Sequence, residues 1–322
     1  EENLLKNQFN LSNEQLNWRK WKLRTMEDPA LFCQEYPATD EEAFLSTGRN
    51  VFDIGILREW YQAKKVTPKI CELSFYQEPY IDSGVKYRQK VKFNELKNGI
   101  LKIWKEPDEH KLYRIGVDVA EGIENEFKDT DWSVAVVKDA QTWEQVAELR
   151  CRVDPDILAD YINLLGRYYN SALIGVERNN HGLTTLTILE RVHHYPFLYR
   201  QEIVDERTKT TTKKLGWRTD SKSKGWLIDL QKKSIREHKT KIMSDINIME
   251  HISFVTKADG KMSAQSGSHD DCVIADSIAT MLCSEFIFYD PTTKWEEKQF
   301  KQSKDKLRRY VESVRRYADT GR

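Results

Sequence analysis

Three apolar strands on short tethers constrain the fold of this chain more than any other feature. "LYRIGVDVA" (112–120), "WSVAVVKD" (132–139) and "EQVAELRCRV" (144–153) follow one another, the last two joined by a turn around Asp139–Thr142. Ile115, Val117 and Val119 alternate onto one face of the first strand, and Val146, Leu149, Cys151 and Val153 supply apolar positions in the third. Short connections imply an antiparallel meander. Asp154-Pro155 then starts a helix in which Ile157, Leu158, Tyr161, Leu165 and Tyr168 recur at helical spacing. "ALIGVE" (172–177) is an unbroken apolar run, the pattern of a strand buried on both faces. A strand reached through a helix returns parallel by a right-handed crossover, so 172–177 is expected beside 112–119. The expected class is α/β: a mixed sheet, antiparallel meander plus parallel strands, flanked by helices.

The other segments are read around that sheet. "LSNEQLNWRKWKLRTM" (11–26) is a helix stopped by Asp28-Pro29. "FCQEYPATDEEAF" (32–44) makes a turn at Tyr36-Pro37, and Thr39 then caps an acidic helix start at Asp40–Glu42. Residues 1–50 thus read as a helical connector, followed by a short helix near Ile56–Ala63 and strand-like stretches ending at Pro107. Beyond Glu177, Asn179–Gly182 form a turn in which Gly182 relieves backbone strain, with a helix after it. A strand at "YPFLY" (195–199), a β-hairpin within 200–217 and a helix over 222–240 come next, the helix carrying Leu227, Ile228, Leu230, Ile235 and Ile242 on one buried face. "SGSHDDCVIADSIATML" (266–282) reads as a buried helix with Ser268 as N-cap, and 291–322 as a charged tail.

Composition narrows the function classes. Hydrophobic content of 39% with 32% charged residues suits a soluble globular chain. Formal net charge is zero, so any site for a polyanion has to be a local patch. The five cysteines (Cys33, Cys71, Cys151, Cys272, Cys283) form no C-x-x-C pair, which points to a reducing compartment rather than a disulfide framework or a zinc site. No apolar run approaches the roughly 20 residues of a membrane span and no signal peptide is visible, so the expected setting is cytosolic. The chain begins without methionine and in mid-pattern, and is expected to be a piece of something longer.

The acids carry the functional signal. Asp118 and Glu177 stand late on two strands expected to be neighbours, and ligand sites of open α/β sheets lie beyond the strands' carboxyl ends. Two unpaired carboxylates there repel each other, and burial raises their pKa, so a cation is expected between them. Asp270 and Asp271 suit the first turn of a helix, but a pair of them is more than that turn requires. Separated carboxylates without a companion Cys or His cluster suit Mg²⁺ or Mn²⁺ better than zinc. Two such ions roughly 3.5–4 Å apart would activate a water and stabilise the leaving oxygen of an in-line phosphoryl displacement. Between 205 and 224, Arg207, Lys209, Lys213, Lys214, Arg218, Lys222 and Lys224 outnumber the acids, a composition fit to neutralise phosphates without reading bases.

"YRIGVDVAEG", "LIGVERNNHG", "LGWRTDSKSKG" and "GSHDD", preceded by "FCQEYPATDEEAFLSTG", stand in the order and spacing of tailed-phage large terminase subunits. The chain resembles the C-terminal nuclease domain of that family together with its connector. The resemblance implies a ribonuclease H-like fold and a metal-dependent endonuclease that cuts double-stranded, concatemeric viral DNA during packaging. It implies a nuclease domain over 51–290, with an N-terminal extension at 51–111 and a hairpin at 200–217 beside the catalytic face. Carried over, the metal-binding and catalytic acids are Asp118, Glu177 and Asp271, with Asp270 as an outer or second-metal ligand. Asp129 or Asp131 would be a loop contact, and Asn180 and His269 would support the ligands. Lys209, Lys213, Lys214 and Arg218 would contact DNA, with Lys224 near the scissile phosphate. The small terminase subunit and portal would be partners, in the cytoplasm of an infected bacterium. The family's packaging ATPase needs a G-x-x-x-x-G-K-[ST] loop. Gly260-Lys261 is followed by Met262 and lacks the earlier glycine, so the motor is expected upstream in the parent protein. Two other functions fit the same residues: a cellular resolvase or transposase-like nuclease, and a non-catalytic DNA-gripping module.

Overall fold

Alternation along residues 113–118 sets the layers of the molecule, sending Ile115 and Val117 to one side of their strand and Gly116 and Asp118 to the other. A computed structural model describes residues 6, 9–26, 36, 50–63, 66–81, 85–120, 131–204, 211–257, 259–265 and 267–287. The readings made above for 27–49 apart from Tyr36, for Asp129, Arg207 and Lys209, and for the tail lie outside those residues. The elements run α1 (Asn13–Thr25), α2 (Ile54–Gln62), β1 (Lys69–Ile81), β2 (Val85–Glu95), β3 (Leu101–Ile103), β4 (Tyr113–Asp118), β5 (Ser133–Asp139) and β6 (Gln145–Cys151). They continue with α3 (Pro155–Tyr168), β7 (Leu173–Val176), α4 (Asn180–Arg191), β8 (Arg200–Val204), β9 (Thr211–Leu215) and α5 (Ser221–Arg236). The last are α6 (Asp245–Ser253), β10 (Phe254–Thr256), β11 (Met262–Ala264) and α7 (Asp271–Ile287).

Seven strands form one sheet in the order β2-β1-β3-β6-β5-β4-β7. β4, β5 and β6 are the expected meander, and β7 lies parallel to β4 with Val117 opposite Val176. On one side Ile115, Val117, Ile174 and Val176 pack against Leu158, Ile162 and Leu165 of α3 and Leu186 and Leu189 of α4. On the other, α7 lies across β4, β5 and β7. Its Cys272, Ala275 and Ala279 meet Val134 and Val136, while Val273, Ile278 and Leu282 join Leu227, Ile228 and Ile235 of α5 and Ile248 and Ile252 of α6. A helix apolar on every side belongs in such a buried layer. Gly116 makes the close approach possible, because a Cβ there would sit 2.1 Å from the Ala275 carbonyl oxygen. The layer encloses a charge pair: Lys138 Nζ stands 3.0 Å from Asp276 and donates to Thr240 Oγ1 (2.6 Å) and Thr280 Oγ1 (2.8 Å).

Several expectations change. The 222–240 helix stops at Arg236, because His238 adopts a left-handed backbone (φ 52°) and turns the chain without a glycine. Ile242 therefore lies beyond that helix, although it still reaches the core. Tyr195–Tyr199 is not a regular strand: Pro196 removes a donor, and only the bridge Ile174–Leu198 ties the segment to β7 before β8 begins at Arg200. α4 starts at Asn180 rather than after Gly182. Gly182 serves a close approach there, since a Cβ would meet the Glu177 carbonyl oxygen at 1.8 Å. Ser268 is two residues too early to cap α7; the Asp270 carbonyl accepts the Ile274 N–H instead. α6 and the β10–β11 pair have no counterpart in the sequence reading.

Candidate metal centre

Asp118 closes β4, and Glu177 follows directly on β7. The parallel register sets the two side by side, with the Glu177 N–H donating to the Val117 carbonyl at 2.8 Å. Asp118 faces the α7 side, where Asp271 begins that helix and Asp270 immediately precedes it. Burial pushes the Asp118 carboxyl well above the ordinary range, and Glu177, Asp271 and Asp270 push it further in the same direction. Burial likewise lifts Asp271 to about 6, against the Trp132 N–H, which donates to its Oδ2 at 2.9 Å and favours the charged form. Four carboxyl groups from two strands and a helix start thus act on one another at the ends of β4 and β7.

Among the described residues, basic side chains approach this group at its rim. Lys224 Nζ stands 3.4 Å from Asp270 Oδ2. His269 Nδ1 lies 3.8 Å from Asp271 Oδ2 and 3.7 Å from Asp131 Oδ1. Asp131, His269 and Asp271 each offer a ligand atom within 4.8 Å of the others. The donor set is mostly carboxylate oxygen, partly buried and short of positive charge. That chemistry fits a hard divalent cation. Ion binding needs these carboxyls deprotonated, so it works against the upward shifts of Asp118 and Asp271.

Neighbouring groups hold the acids in place. Asn179 Nδ2 donates to the Val119 carbonyl at 3.0 Å and stands 3.5 Å from Glu177 Oε2, while its Oδ1 caps α4 by accepting the Gly182 N–H. The amide that stands beside Glu177 is that of Asn179, exposed like Asn180, which opens the first turn of α4. Glu250 Oε2 accepts the Cys272 N–H at 2.7 Å, so α6 fixes the first turn of α7. Burial pushes the Glu250 carboxyl up to about 7. Neither Trp132 nor Glu250 stands out in the sequence; Asn179 does, as an N-cap residue directly before a helix.

The basic segment is stitched to the same end of the sheet. β8 and β9 form an antiparallel hairpin in which Glu202 and Lys213 are cross-strand partners at 2.7 Å. After Gly216 (φ 75°) the Trp217 N–H donates to the Val176 carbonyl at 2.8 Å, and Trp217 bridges to Glu177. Lys214 and Arg218 are exposed. Asp220 caps α5 by accepting the Lys222 and Ser223 N–H groups, which sets Lys224 in the first turn facing Asp270.

The meander has its first strand flanked by a parallel fourth, with Asp118 ending the one and Glu177 directly after the other. The fold is ribonuclease H-like. Solved structures similar to this chain include the large terminase nuclease from thermophilic phage G20c with bound magnesium, at 14% identity and a TM-score of 0.48, over 72% of this chain and 97% of that one. The same nuclease with bound cobalt is similar at 17% identity and 0.46, over 58% and 89%. The large terminase nuclease domain of Thermus phage P74-26 is similar at 19% and 0.40, over 57% and 86%. No protein-family model and no curated protein sequence matches the chain. Among the described residues no helix is long and apolar enough to cross a membrane.

Proposed function

We propose that this ribonuclease H-like chain is the nuclease portion of a tailed-phage large terminase: a divalent-metal-dependent endonuclease that cuts concatemeric double-stranded DNA with little sequence preference. The observation that carries the reading is the meeting of Asp118, Glu177, Asp270 and Asp271, two of them with carboxyls raised by burial. In this reading Asp118, Glu177 and Asp271 hold Mg²⁺ or Mn²⁺, with Asp270 as an outer or second-ion ligand. Such ions, two of them by this reading, supply Lewis-acid stabilisation of the phosphoryl oxygens and a water activated for in-line attack. Asp131 and His269 extend the ligand set at its exposed edge.

The remaining roles fall to the protein's own side chains. Lys224 shares the rim with Asp270 and would exchange that ion pair for the scissile phosphate when DNA enters. Lys213, Lys214 and Arg218, together with Lys209 outside the described residues, would neutralise backbone phosphates. Asn179 would keep Glu177 aimed at the ions. A packaging ATPase upstream in the parent protein, a small terminase subunit and a portal complete the proposed setting, in the cytoplasm of the infected host.

The test is supercoiled plasmid incubated with the chain and Mn²⁺ or Mg²⁺. Nicking and linearisation are expected, EDTA should abolish both, and Asp118→Asn should lower the rate at least about a hundredfold, the scale of losing a direct ligand. An Asp118→Asn variant that cuts as fast as the parent removes the metal assignment.

A further inference from the structure

Trp132 stands just before β5, where Val134 is opposite Arg150 and Ser133 opposite Cys151. Continued by one residue, the register sets Trp132 opposite Arg152 and diagonal to Arg150 on the α7 side of the sheet, packed against the cluster of Val134, Val136 and Cys272. The two guanidinium groups lie against its ring, at 3.9 Å for Arg150 and 4.1 Å for Arg152. The Trp132 backbone N–H donates to Asp271 Oδ2 at 2.9 Å. Arg150 also stands 3.5 Å from Glu250, whose other oxygen accepts the Cys272 N–H at 2.7 Å. Asp271 and Cys272, the first two residues of α7, are therefore held by partners that both lead back to Arg150.

We infer that Trp132 is a positioning residue for Asp271, clamped by Arg150 and Arg152 so that its backbone N–H fixes one carboxylate oxygen and leaves the other to bind a cation. The inference rests on the metal-site reading above and adds to it a device that orients one ligand. A ring gripped by two cations cannot tilt without losing both contacts. The peptide attached to it, and the N–H it aims at Asp271, are fixed with it. Partners that orient a metal ligand from outside the coordination sphere set affinity strongly.

The experiment is calorimetric titration of Mn²⁺ into the 322-residue chain and its variants, with thermal scans in EDTA as the structural control. Trp132→Leu keeps apolar bulk beside Val134 but loses the stack, and should weaken Mn²⁺ binding roughly ten- to hundredfold while melting in EDTA close to the parent. Trp132→Phe leaves a ring between the two guanidinium groups and should bind within a few-fold of the parent, on the same scale. Arg150→Met reads the clamp from its other partner and should also weaken binding, so the test stands even if Trp132→Leu does not fold. If the parent binds Mn²⁺, Asp118→Asn weakens it, and Trp132→Leu and Arg150→Met both match the parent, the positioning role is overturned while the metal site stands. A parent that binds no Mn²⁺ overturns both.

Discussion

On the proposed function, Asp271 is under opposite demands in the metal-free and the ion-bound protein. Burial lifts its carboxyl to about 6 when nothing is bound, above its value in the unfolded chain. Between about pH 4 and 6 the folded state therefore holds more of this proton than the unfolded state does, and its contribution to stability falls as pH rises through that window. At pH 8 the folded protein carries the full penalty of a buried charge. Asp271→Asn in EDTA should accordingly melt higher than the parent at pH 8, with the gap closing near pH 4; thermal scans at the two pH values check it. Saturating Mn²⁺ should reverse the order at pH 8, because the parent gains stability from an ion that the variant binds poorly. Asp118 and Glu177 were legible as residues because strand alternation and strand ends are written in the sequence. Trp132 and Glu250 were not, since each matters only through a partner far away in the chain. The amide of Asn179 beside Glu177 came into view only with the start of α4 at Asn180, the usual uncertainty of a helix boundary.

α7 brings the late acids to the strands, and two features hold it there. Gly116 gives its backbone room at β4, and the enclosed Lys138–Asp276 pair ties it to β5. Breaking a buried pair leaves an uncompensated charge, so Lys138→Met should destabilise the chain by about 3–5 kcal/mol. Lys138→Met combined with Asp276→Leu should recover much of that loss, because well-packed apolar replacements of such pairs are often neutral. Urea denaturation of the single and double variants measures both. A double variant no more stable than the single would show that Lys138 contributes through its threonine contacts instead. The strand–helix order from 112 to 191 was readable, since alternation, an unbroken apolar run and helical spacing each left a distinct pattern there. The region after 236 was not. A histidine takes the left-handed position that ends α5, and α6, only nine residues long, follows it too closely for its period to stand out.

At the scale of the molecule, charge is balanced overall and uneven locally. On the proposed function, a chain of zero formal charge would gain DNA affinity through the local patch it presents, so its salt dependence should trace back to a few side chains. Each phosphate contact contributes about 0.9 to the slope of log affinity against log salt. Lys214→Gln should flatten that slope by roughly this amount. Lys213→Gln should change it less, because Glu202 already sits 2.7 Å from that amine. Fluorescence anisotropy with a short duplex across a salt series decides the matter, and equal slopes for all three proteins would take the hairpin out of the DNA contact.

The centre needs residues from β4, β7 and the start of α7, the last of the described helices. A ribosome must therefore translate well past Asp271 before the acids can meet. On the proposed function, the emerging polypeptide until then holds an incomplete ligand set and would leave the chromosome around it uncut. Premature termination anywhere upstream would leave a product in the same inert condition.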